Sequence, residues 1–203
     1  MMPELKVAFE KVRTLLNPYL WHISVLIILL AGILLLFSGR YSVDELLQLP
    51  EDELTKVALR GNANAQAILG NRLFYRKNGN ESFAVLWLTR AAENGNGLAQ
   101  LQLGLIYLNG VGVAPSQNDA KKWLDMAARK GIREAKHGLG LISQRGKTVA
   151  DAAGFFEAAL NSGYVMAAYD LAMLAPKDKS SEEKFVNYLK IAANDNHPSA
   201  QNL

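Results

Sequence analysis

No cysteine occurs in the 203 residues. That absence removes disulfides, thiolate metal sites and a cysteine nucleophile together, and it leaves the redox compartment open. A surplus of one charge is also missing. The formal net charge is +3, and once Lys6, Lys11, Arg13, Arg40, Glu4 and Glu10 are set aside, 18 Lys and Arg face 17 Asp and Glu from Tyr41 onward. Nucleic acid would need a concentrated basic face, and Arg129, Lys130, Arg133 and Lys136 form the only local cluster. They stand where one helix ends and the next begins, a place that suits the negative end of a helix dipole better than a phosphate. No nucleic-acid partner is expected.

Catalytic constellations are missing as well. The three histidines, His22, His137 and His197, form no helical metal pair and no Ser/His/Asp set. Gly110-Val111-Gly112 and Gly138-Leu139-Gly140 are isolated glycine fragments with no strand before them, so they read as a turn and a packing site rather than phosphate loops. The acidic residues Glu51 to Glu53 and Glu182-Glu183 open helices and complement the dipole there. The expectation is a non-enzyme, with no catalytic residue, no metal, no cofactor and no small-molecule substrate.

What is present begins with a long uncharged run. From Thr14 to Gly39 there is no Asp, Glu, Lys or Arg, and Leu20 to Ser38 is almost wholly aliphatic. Nineteen helical residues at ~1.5 Å each reach ~28 Å, about one hydrocarbon thickness. Tyr19 and Trp21 stand at one end and Tyr41 at the other, where amphipathic rings prefer the headgroup region. A cleaved signal peptide is the competing reading, but its apolar core is shorter, and Phe37-Ser38-Gly39 offers no small-x-small cleavage site. Residues 20–38 are expected to form an uncleaved transmembrane helix in the lipid bilayer. Lys6, Lys11, Arg13 and the amino terminus outweigh Arg40 and Lys56, which favours a short cytoplasmic N-terminus over residues 1–19 and a periplasmic location for the chain beyond the span. Ser24, Ala31, Gly32 and Ser38 make no small-xxx-small stripe, and His22 has no second ionisable residue to pair with, so the span reads as an anchor alone.

The remainder repeats itself. Ala99, Leu103-Gly104, Tyr107, Gly110-Val111-Gly112-Val113, Asp119-Ala120, Trp123, Ala127-Ala128, Gly131 and Ala135 succeed one another at helical spacings on both sides of a glycine-rich break. The same frame returns upstream as Ala65, Leu69-Gly70, Trp87, Ala91-Ala92 and Gly95. Downstream it returns as Ala135, Leu139-Gly140, Phe155, Ala159 and Gly163, then as Ala167, Leu171, Tyr188 and Ala192-Ala193. Units starting at 65, 99, 135 and 167, with a truncated one at 200, describe an array of helix pairs. Ahead of it, residues 42–64 read as a linker helix with a Ser42/Glu45 capping box, then a leading half-repeat that starts at Pro50.

Within each unit the small residue at Gly70, Gly104, Gly140 or Ala172 lets two helices approach, and the ring at Trp87, Trp123, Phe155 or Tyr188 fills the space between layers. Ser116, Thr148 and Ser180 are placed to cap the second helices. Gly95, Gly131 and Gly163 are placed to end them.

The unit from Ala99 to Ala135 resembles the Sel1-like repeats (SLR), short helix pairs related to tetratricopeptide repeats. It carries the pattern A-x-x-x-L-G-x-x-Y-x-x-G-x-G-V and then D-A-x-x-W-x-x-x-A-A-x-x-G-x-x-x-A. The neighbouring units carry weaker versions, with Leu73 and Ser143 in place of the tyrosine and Ala172 and Asn196 in place of glycines. The resemblance implies an all-α fold, a right-handed α-α superhelical solenoid of about four helix pairs, here preceded by one transmembrane helix. It also implies an adaptor or scaffold whose concave face holds another protein, such as a membrane-complex subunit. Proteins of this kind also serve as immunity proteins that neutralise secreted antibacterial toxins, including lipase effectors. That role is the alternative expectation.

A second apolar stripe marks where a partner would bind. Leu98, Leu101, Leu105 and Leu108 recur at three, four and three on the side of the first helix opposite its repeat face, and a helix apolar all round must be covered all round. First helices line the groove of a solenoid. The corresponding positions in other units supply Phe74, Tyr75, His137, Leu141, Tyr169 and Met173 as further partner-binding candidates. The natural occupant is another protein, docking in the inner membrane of a bacterium.

Overall fold

The computed structural model describes residues 22–30, 41–76, 81–175 and 182–194. The chain divides into two compact units, Met1–Glu45 and Leu46–Leu203. In the first, residues 22–30 are helical and exposed. Among the described residues no helix is long and apolar enough to cross a membrane. Of the expected span 20–38 only residues 22–30 are described. Residues 1–19, Ser180 and the truncated unit at 200 lie outside the described residues.

From Val43 onward the described residues form helices and turns. The order is α1 Val43–Gln48, α2 Glu51–Leu59, α3 Ala63–Phe74, α4 Glu81–Glu93, α5 Gly97–Asn109, α6 Gln117–Arg129, α7 Arg133–Arg145, α8 Val149–Asn161, α9 Ala167–Leu174 and α10 Glu182–Asn194. Consecutive helices from α3 on pair as hairpins, and each hairpin packs on the next, which makes the second unit a helical solenoid. The helix α1 starts with reciprocal bonds: the Ser42 amide donates to Glu45 Oε2 at 2.8 Å and the Glu45 amide to Ser42 Oγ at 3.2 Å.

Each of the first three hairpins is closed at one point. A Cβ on Gly104 would lie 2.4 Å from Leu124 Cγ, one on Gly70 2.8 Å from Leu88 Cγ, and one on Gly140 2.4 Å from Phe156 Cε1. The side chain that presses on the glycine is therefore the residue after the ring, not the ring itself. In the third pair this makes Phe156, fully buried, the closing residue, while Phe155 is half-buried.

The rings work between layers. Trp87 packs with Leu54, Val57 and Ala58 of α2 and with Ala65 and Leu69 of α3. Trp123 joins Leu88, Ala91 and Ala92 of α4 to Leu103 of α5. Phe155 and Tyr188 repeat that geometry against the preceding second helices α6 and α8. Every ring thus ties its own hairpin to the layer before it.

Helix ends complete the junctions. Gly95 adopts φ +84°, so its amide reaches Ala92 O at 3.0 Å and the next amide, Asn96, reaches Ala91 O at 2.8 Å, a pairing that only a left-handed residue permits cheaply. Asn96 then caps α5 by accepting from the Ala99 amide at 2.8 Å, and Asn62 does the same for α3 through Ala65 at 2.9 Å. Two buried glutamines brace adjacent layers: Gln66 Nε2 donates to Ala58 O and Gln100 Nε2 to Ala92 O, both at 2.9 Å.

Ser116 caps α6 through the Asp119 amide at 3.2 Å. Thr148 does not cap α8. Its hydroxyl turns back to Ser143 O at 2.9 Å, because the chain leaves α7 through Lys147 at φ +62°.

The basic cluster serves the ends of neighbouring helices. Lys130 Nζ donates to Gly95 O, Arg133 Nη1 to Gly163 O at 3.2 Å, and Lys136 Nζ to Ser162 Oγ at 2.6 Å. Cations thus sit where the dipoles of α4 and α8 are negative.

Three substitutions test this packing by denaturant midpoint. Trp123→Ala is expected to cost ~3 to 5 kcal/mol through the void between layers. Gly104→Ala is expected to cost ~1 to 3 kcal/mol by forcing Leu124 away. Gly154→Ala, a helical position whose added Cβ meets nothing within 4 Å, should instead stabilise by ~0.5 to 1 kcal/mol.

Candidate functional site

The first helices α3, α5, α7 and α9 carry all ten partner-binding candidates except Tyr75, which directly follows α3. They do not form one continuous floor. Phe74 and Tyr75, at the end of α3, meet edge to face with centroids 5.5 Å apart. With Leu88 of α4, Gln102, Leu105, Ile106 and Asn109 of α5, and Val111 from the turn after α5, they line a pocket of about 220 Å³. Three of the ten candidates, Phe74, Tyr75 and Leu105, are thereby gathered at one place. Tyr75 is 74% exposed; Phe74 and Leu105 are half-buried.

The leucine stripe of α5 breaks up in three dimensions. Leu98 is 64% exposed and lies outside the pocket lining. Leu101 is half-buried against the cluster of Leu124, Ala127, Ala135 and Leu139, so the next layer covers it. Leu108 is 4% exposed and belongs to the core. Its expected place on the groove is corrected: α5 lies between layers, and its far end is sealed by Arg145 of α7, whose guanidinium donates to Leu108 O at 2.6 Å and Asn109 Oδ1 at 3.2 Å.

The remaining candidates separate from the pocket. Leu141 packs on the cluster around Phe156 and Ala159. Tyr169 packs with Ala168 and Ala192, while Met173 is 44% exposed. His137 binds Asp170 of α9, Nε2 to Oδ2 at 2.7 Å, between the rings of Phe156 at 5.2 Å and Tyr164 at 5.1 Å. It joins the third and fourth hairpins, and among the described residues no group of three or more His, Asp and Glu could hold a metal ion.

Gln102, Asn109 and Val111 are pocket residues that the sequence pattern passes over. Only the apolar Val111, in the glycine turn, carried a signal, since Gly110 and Gly112 both have positive φ and hold it at the rim. Gln102 Oε1 at the pocket, Asn71 Oδ1 on α3 and Gln100 Oε1 in the glutamine bridge are shielded from solvent. The arrangement can receive an apolar side chain; it holds no nucleophile with a base beside it.

The Sel1 repeat family model matches residues 63–96 and 97–132, the two hairpins that frame the pocket, so the chain carries Sel1 repeats there. An F-box protein of Arabidopsis thaliana is 35% identical over 112 residues, which are 55% of this chain and 30% of that protein. The chain therefore spans under a third of this relative. A Sel1 repeat protein from Oxalobacter formigenes superposes with a TM-score of 0.67 at 24% identity, over 74% of this chain and 63% of that one. An immunity protein from Pseudomonas aeruginosa superposes with a TM-score of 0.50 at 19% identity, over 73% and 60%. At these identities the likenesses show the fold, an all-α solenoid.

Burial, joined by the nearby Glu134 and Asp170 carboxylates, raises the Tyr164 phenol above its ordinary range. The folded state then holds this proton more tightly than the unfolded chain. The resulting stability is complete below the ordinary phenol pKa and is lost as pH rises through the raised value. Tyr164→Phe should flatten the alkaline end of a stability-against-pH curve; an unchanged decline would contradict the assignment.

Proposed function

We propose that this chain is a membrane-anchored, non-enzymatic adaptor that holds another protein on the first-helix side of its repeat array. The pocket formed by Phe74, Tyr75, Leu105 and Val111 is the point of anchorage. One observation carries the reading: aromatic and aliphatic side chains from two adjacent repeats converge on a concave site of about 220 Å³ whose outermost ring, Tyr75, is left 74% exposed. Tyrosine is among the residues that carry most of the energy at protein interfaces. The lining favours an apolar partner side chain.

Residues 20–38 supply the tether in this account. The span is long enough for one hydrocarbon thickness, and Lys6, Lys11 and Arg13 favour a cytoplasmic N-terminus of residues 1–19. The array would then begin at 65 in the periplasm of a bacterium, behind a linker helix and half-repeat over 42–64. A narrower reading assigns the same pocket to a secreted toxin that the chain neutralises. The immunity protein from Pseudomonas aeruginosa shares the fold, which is compatible with that role, and protection of cells exposed to the toxin separates inhibitor from scaffold.

Leu105→Glu tests the pocket. In a chain shortened to begin at Ser42, the substitution should abolish capture of the partner from cell extract, with far-ultraviolet circular dichroism unchanged. Retained capture would move the site elsewhere, and lost helicity would make Leu105 a core residue.

A further inference from the structure

The outer face of α4 is apolar where the repeat does not require it. Phe83 and Leu86, three residues apart on one helix face, are 64% and 46% exposed. At the same two places the next second helix, α6, has Asp119 and Lys122, and α8 has Asp151 and Gly154, all exposed. Charge and glycine are thus tolerated there, and the packing of the array does not explain the pair. Arg90 continues the face one turn on, its guanidinium carbon 4.9 Å from the centroid of the Trp87 ring. In the adjoining layer, which Trp87 joins to α4, Leu59 of α2 is 66% exposed.

We propose that this face, Phe83 and Leu86 flanked by Arg90, rests on the surface of a lipid bilayer. The inference rests on the reading of residues 20–38 as an anchor. Three observations select lipid over protein. A phenyl ring and a leucine beside an arginine make the composition of an interfacial helix face, with carbon directed to the acyl boundary and the cation to headgroup phosphate. Two side chains fall far short of the ~1,200 Å² that a stable protein dimer buries. The tether is also short: residues 39–42 separate the span expected over 20–38 from α1, and four residues reach at most ~14 Å. Attachment through that tether raises the effective concentration of lipid at the array, so a contact too weak to act alone is populated. The consequence is orientation: one edge of the array is held against the bilayer, and the array cannot tumble freely about its tether.

The absence of cysteine permits a direct test. Full-length protein with Glu93→Cys, one further turn along the same face, or with Lys122→Cys in the next repeat, is labelled with a thiol-reactive fluorophore and reconstituted into vesicles of phosphatidylethanolamine and phosphatidylglycerol. Headgroup-nitroxide lipid in both leaflets should quench the label at 93 several-fold more strongly than the label at 122. Adding Phe83→Ser and Leu86→Ser should reduce the former to the latter with helicity retained. Equal, weak quenching at both sites in vesicle-bound protein overturns the proposal while leaving the anchor intact. A blue-shifted label at 93 that nitroxide lipid does not quench also overturns it, in favour of a protein cover such as a second copy. Failure of the protein to float with the vesicles removes the anchor reading and this proposal with it.

Discussion

The array depends on a missing side chain: at Gly104 only a hydrogen stands where a Cβ would be, and Leu124 fills the space. Gly70 with Leu88 and Gly140 with Phe156 repeat it, and these three points set the spacing between the two helices of the first three pairs. Once the helices are that close, their far sides cannot be covered by their own partner. The ring next to the closing residue then reaches into the preceding layer, as Trp123 does between α4 and α5. Hairpin closure and layer stacking are adjacent residues of one helix, so neither can shift without the other.

Polar chemistry at the junctions arises from the same tight geometry. A second helix ends at a left-handed glycine, and the residue after it closes that end while also starting the next helix, as Asn96 does. Gln66 and Gln100 are buried beside Ala58 O and Ala92 O, and the amide of each supplies the donor its carbonyl needs. The scheme weakens toward the last hairpin. There α9 has eight residues, α10 buries only Ala192 fully, and the His137–Asp170 bond replaces the glutamine bridge as the polar link between layers.

Much of this is legible in the sequence, because the repeat writes its packing in spaced small residues and rings. The period marks the hairpins, and the helix ends expected at Gly95, Gly131 and Gly163 each carry a positive φ. What a pattern of types does not resolve is direction. Leu108 and Leu105 lie three apart on one stripe, yet Leu108 is buried in the core while Leu105 reaches the pocket, a difference that residue type does not carry. Thr148 has the type and place of a cap, but the preceding turn at Lys147 redirects its hydroxyl. The glutamine bridges and the pocket amides are illegible for a simpler reason: a lone polar residue in a helix reads as solvent-facing until its neighbours are known.

The central claim is that the array's binding capacity is concentrated between the Sel1 repeats over 63–96 and 97–132, at the pocket beside Tyr75, and not spread along every first helix. Photocrosslinking in intact cells measures this directly. With a benzophenone side chain placed at Tyr75, or at Met173 as the comparison, ultraviolet light should yield a discrete heavier adduct from position 75 alone. An adduct from position 173 with none from 75 would contradict the account.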